Sequence, residues 1–175
     1  MNEKLTSEEY WENFWNNIKL PTVAKPSFDL YNTLLSTLPL NDKPATLLEI
    51  GCAPGGWLAF FAKIFAYNVM GLEYAKKAAS LTRKNLSMQN INAEVIDKDF
   101  FNINSIEVQS DIVFSSGFIE HFTDTQNVVN KIYQITNKFV VTIVPNVYGV
   151  NGLISKVFRR SVYENHVPID LNIIR

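Results

Sequence analysis

The 175-residue chain contains one cysteine, Cys52, which excludes an internal disulfide and a multi-cysteine metal site. It carries no excess of either charge sign: 16 Lys and Arg against 17 Asp and Glu leave a formal net charge of -1. A chain so balanced lacks the electrostatic footprint of a nucleic-acid or anionic-membrane binder, and neither partner is expected. No apolar run reaches the ~20 residues needed to cross a bilayer. The first segment, MNEKLTSEEYWENFW, holds four glutamates and no apolar stretch of the signal-peptide kind, so a cytoplasmic location is expected. There is no internal repeat and no low-complexity stretch. No His, Asp, Glu or Cys residues fall at a recognisable metal-ligand spacing, and no metal is expected. What the chain has in quantity is apolar side chains, 47% of the total, enough for one packed core.

The pattern of those side chains divides the chain. Trp11, Phe14, Trp15 and Ile18 recur at helical spacing and predict an amphipathic helix ended by Pro21. A second helix is predicted in SFDLYNTLLSTL. From Ala45 onward, apolar runs alternate with helical patterns. ATLLEI, YNVMGLE, NAEVID, SDIVFSS and KFVVTIVP read as strands; WLAFFAKIFA, YAKKAASLTRKNLSMQ and TDTQNVVNKIYQIT read as helices, the last capped by Thr123 or Asp124. Continuous apolar strands separated by helices predict an α/β fold, a doubly wound, mostly parallel sheet covered on both faces. The expected divisions are a helical cap over residues 1–44, an α/β core over 45–145 and a C-terminal helix or lid segment over 146–175.

The chemically informative segment is LLEIGCAPGGW, residues 47–57. It runs from a predicted strand, through a turn containing Gly51, Gly55 and Gly56, into a predicted helix. Glycine lets a ligand approach the backbone closely, and the first strand-to-helix turn of a doubly wound sheet is where a nucleotide sits. Glu73 closes the next strand about 20 residues later, the position from which a carboxylate can accept from two ribose hydroxyls. The glycine spacing alone also admits a dinucleotide reading. Against it stand Glu49, an acid inside the first strand, and the later segments DKDFFN and GFIEHF.

Four motifs in order carry a resemblance to the class I S-adenosylmethionine-dependent methyltransferases. LLEIGCAPGGW resembles the family's first cofactor motif and GLEY the second. DKDFFN resembles the third, whose acid and neighbour border the adenine, and SDIVFSSGFIEHF resembles the fourth, which faces the substrate. The resemblance implies a Rossmann-like methyltransferase fold, S-adenosylmethionine as cofactor and S-adenosylhomocysteine as product. It implies cofactor contacts from Glu49, Gly51, Cys52, Ala53, Gly55, Glu73, Tyr74, Asp99, Phe100 and Ser116. Cys52 itself reads as a small filler of the turn, since methyl transfer needs no thiol here.

Two histidines are candidate catalytic residues. His121 follows the fourth strand, and its ordinary pKa near neutrality suits it to take a proton from an attacking hydroxyl; His166 would reach the site from a lid. A base is needed only for a weakly acidic acceptor. Tyr10, Trp11 and Trp15 would close over the cofactor as the N-terminal helices do in similar enzymes.

The sequence departs from the family at the turn, where Ala53 stands for the usual middle glycine and Pro54 follows. The string APGGW also looks like the turn of FtsJ-related RNA ribose methyltransferases, but the lysine and aspartate set of those enzymes is absent after the fourth strand. GFIEHF, followed by a helix and VVTIVPN, looks instead like the corresponding part of small-molecule methyltransferases, and that resemblance implies a small-molecule acceptor. The alternatives are a cofactor-binding subunit or degenerate homologue that transfers no methyl group, an RNA ribose methyltransferase, and an NAD-binding domain. The family sheet ends in a β-hairpin after the fifth strand, and here that hairpin is expected to be incomplete. GLISKVFRR reads as a short helix, and VPIDLNIIR as one strand at most. The apolar outer edge of KFVVTIVP would then pair with this tail, with residues beyond Arg175, or with a second subunit in a homodimer.

Overall fold

The structure is a computed structural model that describes residues 4–40, 43–145 and 166–169. Two helices, α1 (Glu8–Phe14) and α2 (Phe28–Thr37), precede an alternation of strands and helices. That alternation runs β1 (Thr46–Ile50), α3 (Gly56–Ile64), β2 (Asn68–Glu73), α4 (Lys76–Ser87), β3 (Glu94–Asp97), α5 (Ser105–Val108), β4 (Ser110–Ser116), α6 (Thr125–Gln134) and β5 (Thr136–Ile143). Short 3-10 turns over Phe100–Asn102 and Ile119–His121 follow β3 and β4. The five strands lie in the order β3-β2-β1-β4-β5 and every pair is parallel. This is the Rossmann-like α/β architecture expected from the alternating pattern.

The sheet is covered on both faces because successive side chains of a strand point to opposite sides. Leu47, Ile112 and Phe114 face a core shared with Leu34 of α2, Leu58 and Phe61 of α3, and Leu86 of α4. Leu48, Ile50 and Val113 face the other core, with Val108 of α5 and Val128 and Ile132 of α6. Each such buried Leu, Ile or Phe contributes roughly 1.5–3 kcal/mol relative to exposure. In β2 the position facing α3 is Gly71, and the missing side chain is what admits Cys52: a Cβ there would meet Cys52 Sγ at 2.6 Å and Leu58 Cδ1 at 3.0 Å.

Caps explain several boundaries. Ser7 Oγ accepts from the Tyr10 amide, Ser27 Oγ from Leu30, and Asp124 Oδ1 from Asn127. Such side chains satisfy amides that the first helical turn leaves without partners. Several boundaries differ from expectation by two residues or more, and two of them have a local explanation. α1 stops at Phe14 rather than running through Ile18; the two residues Asn16 and Asn17 that follow have low helix propensity, and the Asn16 side-chain amide donates to Asn13 Oδ1 at 3.3 Å. At the other end of the chain, β5 begins at Thr136, two residues before the predicted strand. The β-branched pair Ile135 and Thr136 leaves the helix there, and Thr136 Oγ1 donates back to the Ile132 carbonyl at 2.6 Å. The four-residue α5 has no counterpart in the sequence reading, since its SIEV is too short to show periodicity.

Among the described residues, the outer edge of β5 pairs with no strand. The helix expected over GLISKVFRR lies outside the described residues, as does most of VPIDLNIIR, of which Val167 to Ile169 form no regular element. Among the described residues no helix is long and apolar enough to cross a membrane.

Candidate functional site

The turn after β1 is shaped by backbone conformations that favour glycine. Gly51 has φ 69° and Gly55 has φ 85°, both left-handed. The Gly51 amide donates to the Leu72 carbonyl at 2.8 Å, which ties the turn to the end of β2. Gly55 precedes α3 without a side-chain cap, and the Leu58 amide of the first turn faces the Glu49 carboxylate.

Above this turn, at the C-terminal ends of β1, β2 and β4, lies a cavity of about 300 Å³. That is where doubly wound sheets bind their ligands, and the volume is at the lower end for small-molecule pockets. Glu49, Gly51, Ala53, Glu73, Tyr74, Asp99, Phe100, Ser116 and His121 line it. The fold therefore brings most of the candidate residues to one place. Three others sit differently. Cys52 is fully buried, packed against Gly71 and away from the cavity wall. Gly55 lies behind the wall, where a Cβ would meet Thr82 Cγ2 at 3.0 Å. His166 lies behind His121, with ring centroids 4.6 Å apart.

Two carboxylates mark the floor. Glu73 is 6% exposed; its Oε1 accepts from the Ala75 amide at 3.0 Å and its Oε2 from the Ala53 amide at 3.4 Å. Burial raises its pKa and these amides oppose the shift. Glu49 is 3% exposed, and its Oε2 has no hydrogen-bond partner among the described residues. Burial pushes its pKa well up, against the Leu58 amide, while the charge of Glu73 adds to the rise. A buried carboxylate oxygen without a donor is costly, so the wall at Glu49 suits a donor group supplied from outside the protein.

The N-terminal segment closes the opposite side. Trp11 and Trp15 line the cavity, while the expected third member of that lid, Tyr10, does not. The Leu5 amide donates to the His121 carbonyl at 2.9 Å and Trp11 meets the His121 ring edge-on at 5.0 Å. Lys4, which the sequence did not single out, pairs with Asp99 and lies 4.4 Å from the centre of the Tyr74 ring. Asp99 also caps the turn after β3 by accepting from the Phe101 amide at 2.9 Å. Trp57 and Phe118 are further lining residues without a sequence signal of their own; an aromatic in an apolar pattern reads as core.

A further unforeseen residue is Glu120. It is 1% exposed, and neither carboxylate oxygen has a hydrogen-bond partner among the described residues. Burial pushes its pKa up to about 7, against the nearby amides of Glu120 and Phe118, which favour the charged form. Glu120, His121 and His166 form a cluster that no spacing in the sequence announces.

A family model described as a methyltransferase domain matches residues 47–138, more than half of the chain. No curated protein sequence matches it. Among solved structures, the chain resembles phosphoethanolamine N-methyltransferase 2 from Haemonchus contortus, bound to phosphomonomethylethanolamine and S-adenosylhomocysteine. The TM-score is 0.66 at 20% identity, over 95% of this chain and 39% of that one. It also resembles the plantazolicin methyltransferase BpumL bound to S-adenosylhomocysteine, with a TM-score of 0.58 at 17% identity, over 73% of this chain and 52% of that one. The chain thus spans about half or less of the length of these structures, and at such identities the likeness shows the fold.

Proposed function

From the premise that this chain belongs to the methyltransferase-domain family, we propose that it binds S-adenosylmethionine in the 300 Å³ cavity and methylates a small-molecule acceptor. The observation that carries this reading is the pair of buried carboxylates flanking the glycine turn. Glu73 ends β2, where its anchored carboxylate can accept from ribose hydroxyls. Glu49 stands inside β1 with an oxygen that lacks a donor, suited to the ammonium of the cofactor's methionine end, directly or through water. A dinucleotide site uses the acid on the second strand and gives no role to a buried Glu49.

The other contacts follow from position. The left-handed φ of 69° at Gly51 disfavours any side chain there and so keeps the turn open. Asp99 and Phe100, on the turn after β3, would border the adenine. Ala53 places only a methyl group in the turn and leaves its amide on Glu73. When bound, the cofactor supplies an electrophilic methyl carbon. What the chain itself contributes is alignment and exclusion of water, effects worth up to ~7–11 kcal/mol in well-oriented reactions. Trp11, Trp15 and His121 occupy the acceptor side of the cavity in this reading.

A small-molecule acceptor is supported by the enclosing aromatic wall and by a chain without a basic surface excess. The relatives of similar fold named for phosphoethanolamine and plantazolicin point the same way. The test is calorimetric titration with S-adenosylmethionine, followed by methyl transfer from labelled cofactor to a metabolite pool. Binding with transfer supports the enzyme; binding without transfer supports a non-catalytic cofactor-binding homologue.

A further inference from the structure

Glu120 and His121 close the short turn after β4, and His166 lies 45 positions beyond His121 in the chain. The Val167 amide donates to the Glu120 carbonyl at 2.7 Å, which fixes the returning segment against the turn. One donor atom from each of Glu120, His121 and His166 lies within 4.8 Å of the others. Glu120 is the informative member: a carboxylate 1% exposed, with both oxygens lacking a hydrogen-bond partner among the described residues. Buried polar groups are hydrogen-bonded as a rule, and exceptions call for an ion or another partner.

We propose that Glu120, His121 and His166 form a three-ligand site for a divalent transition-metal ion of the zinc class. Two imidazoles and one carboxylate are an established zinc donor set, and three protein ligands leave a fourth position for water or substrate. A hard ion such as Mg²⁺ or Ca²⁺ prefers an all-oxygen shell, which this cluster does not offer. Bonds of about 2.0–2.2 Å around a tetrahedral ion place donors about 3.3 Å apart, so small side-chain rotations close the present cluster onto an ion. The cation supplies the partner that the Glu120 carboxylate lacks. His121 also lines the cavity, whereas Glu120 and His166 do not, so the site adjoins the acceptor side. The fourth ligand is then an acceptor oxygen. That last step rests on the methyl-transfer reading; the binding of the ion does not.

The test uses the full chain, stripped with chelator and titrated with Zn²⁺ and separately with Co²⁺, with S-adenosylhomocysteine titrated in parallel. Zinc content after dialysis and the visible absorption of tetrahedral Co²⁺ are the readouts. The proposal expects one equivalent of zinc and a tetrahedral cobalt spectrum. In His166→Ala and in Glu120→Gln the ion should bind ~10²-fold more weakly or worse, since even partners one shell out cost 10–100-fold. His166→Ala should keep the wild-type circular dichroism and affinity for S-adenosylhomocysteine. Substoichiometric zinc in the wild type, or equal affinity in wild type and both variants, overturns the proposal and leaves a metal-free Glu–His network. Zinc uptake without S-adenosylhomocysteine binding would uphold the metal site while rejecting the cofactor reading.

Discussion

The Glu73 carboxylate at the end of β2 accepts a hydrogen bond from the Ala53 amide in the glycine turn after β1, 20 positions earlier in the chain. The same group thus holds the turn and faces the cavity. Glu73→Ala should weaken S-adenosylhomocysteine binding by about 1.5–3 kcal/mol, the range for hydrogen bonds to a charged group. Calorimetric titration of wild type and variant measures this, and equal dissociation constants would remove Glu73 from the site.

Cys52 and Gly71 form a second interlocking pair, with Sγ 2.6 Å from where a Gly71 Cβ would stand. Gly71→Ala should destabilise the fold by about 1–3 kcal/mol, the usual cost of overpacking a core. Adding Cys52→Ala should recover part of the loss, because the sulfur is the closest obstacle. Urea unfolding of the single and double variants provides the comparison; a neutral Gly71→Ala would mean that the contact relaxes freely.

The buried Glu49 predicts a pH dependence of stability. Its pKa is raised in the folded chain by burial, with the nearby Glu73 carboxylate pushing the same way. Below its ordinary value of 4.5 the folded and unfolded chains both keep the proton. As pH rises above that value, the unfolded chain ionises first, so stability declines until the raised folded pKa is passed. Glu49→Gln should flatten this decline by up to about 1.4 kcal/mol per pH unit. Glu73 and Glu120 shift in the same direction and leave a residual slope. Unfolding free energies of the ligand-free chain from pH 5 to 7 carry the test; parallel curves for wild type and variant would contradict it.

The order of elements and the glycine turn were legible in the sequence because their signals are local. A buried parallel strand is a short apolar run, and a left-handed turn beside a ligand asks for glycine at Gly51 and Gly55. The acids Glu49 and Glu73 stood out because they interrupt or end apolar strands. What escaped depends on the chain folding back on itself. Lys4 meets Asp99 across 95 positions, and His166 meets Glu120 and His121 only because the returning segment docks on the turn after β4. Cys52 and Gly55 illustrate the reverse: both belong to the motif by sequence, yet the turn directs Cys52 into the core under Gly71 and sets Gly55 against Thr82.

The outer edge of β5, unpaired among the described residues, carries Phe139, Val140, Val141 and Ile143. Open apolar strand edges pair with another strand; where a second subunit rather than VPIDLNIIR covers this one, the outcome is a homodimer joined through this edge. Sedimentation equilibrium should return twice the monomer mass, and a charged substitution such as Val141→Lys should shift the population toward monomer. A monomer at all accessible concentrations would contradict the expectation.

The central claim is that the cavity between Glu49, Gly51 and Glu73 is a site for S-adenosylmethionine. The most direct measurement is calorimetric titration of the wild-type chain with S-adenosylhomocysteine and, in a matched experiment, with NAD. The account predicts saturable one-to-one binding of S-adenosylhomocysteine and no heat of binding from NAD. Saturable binding of NAD with none of S-adenosylhomocysteine would contradict it.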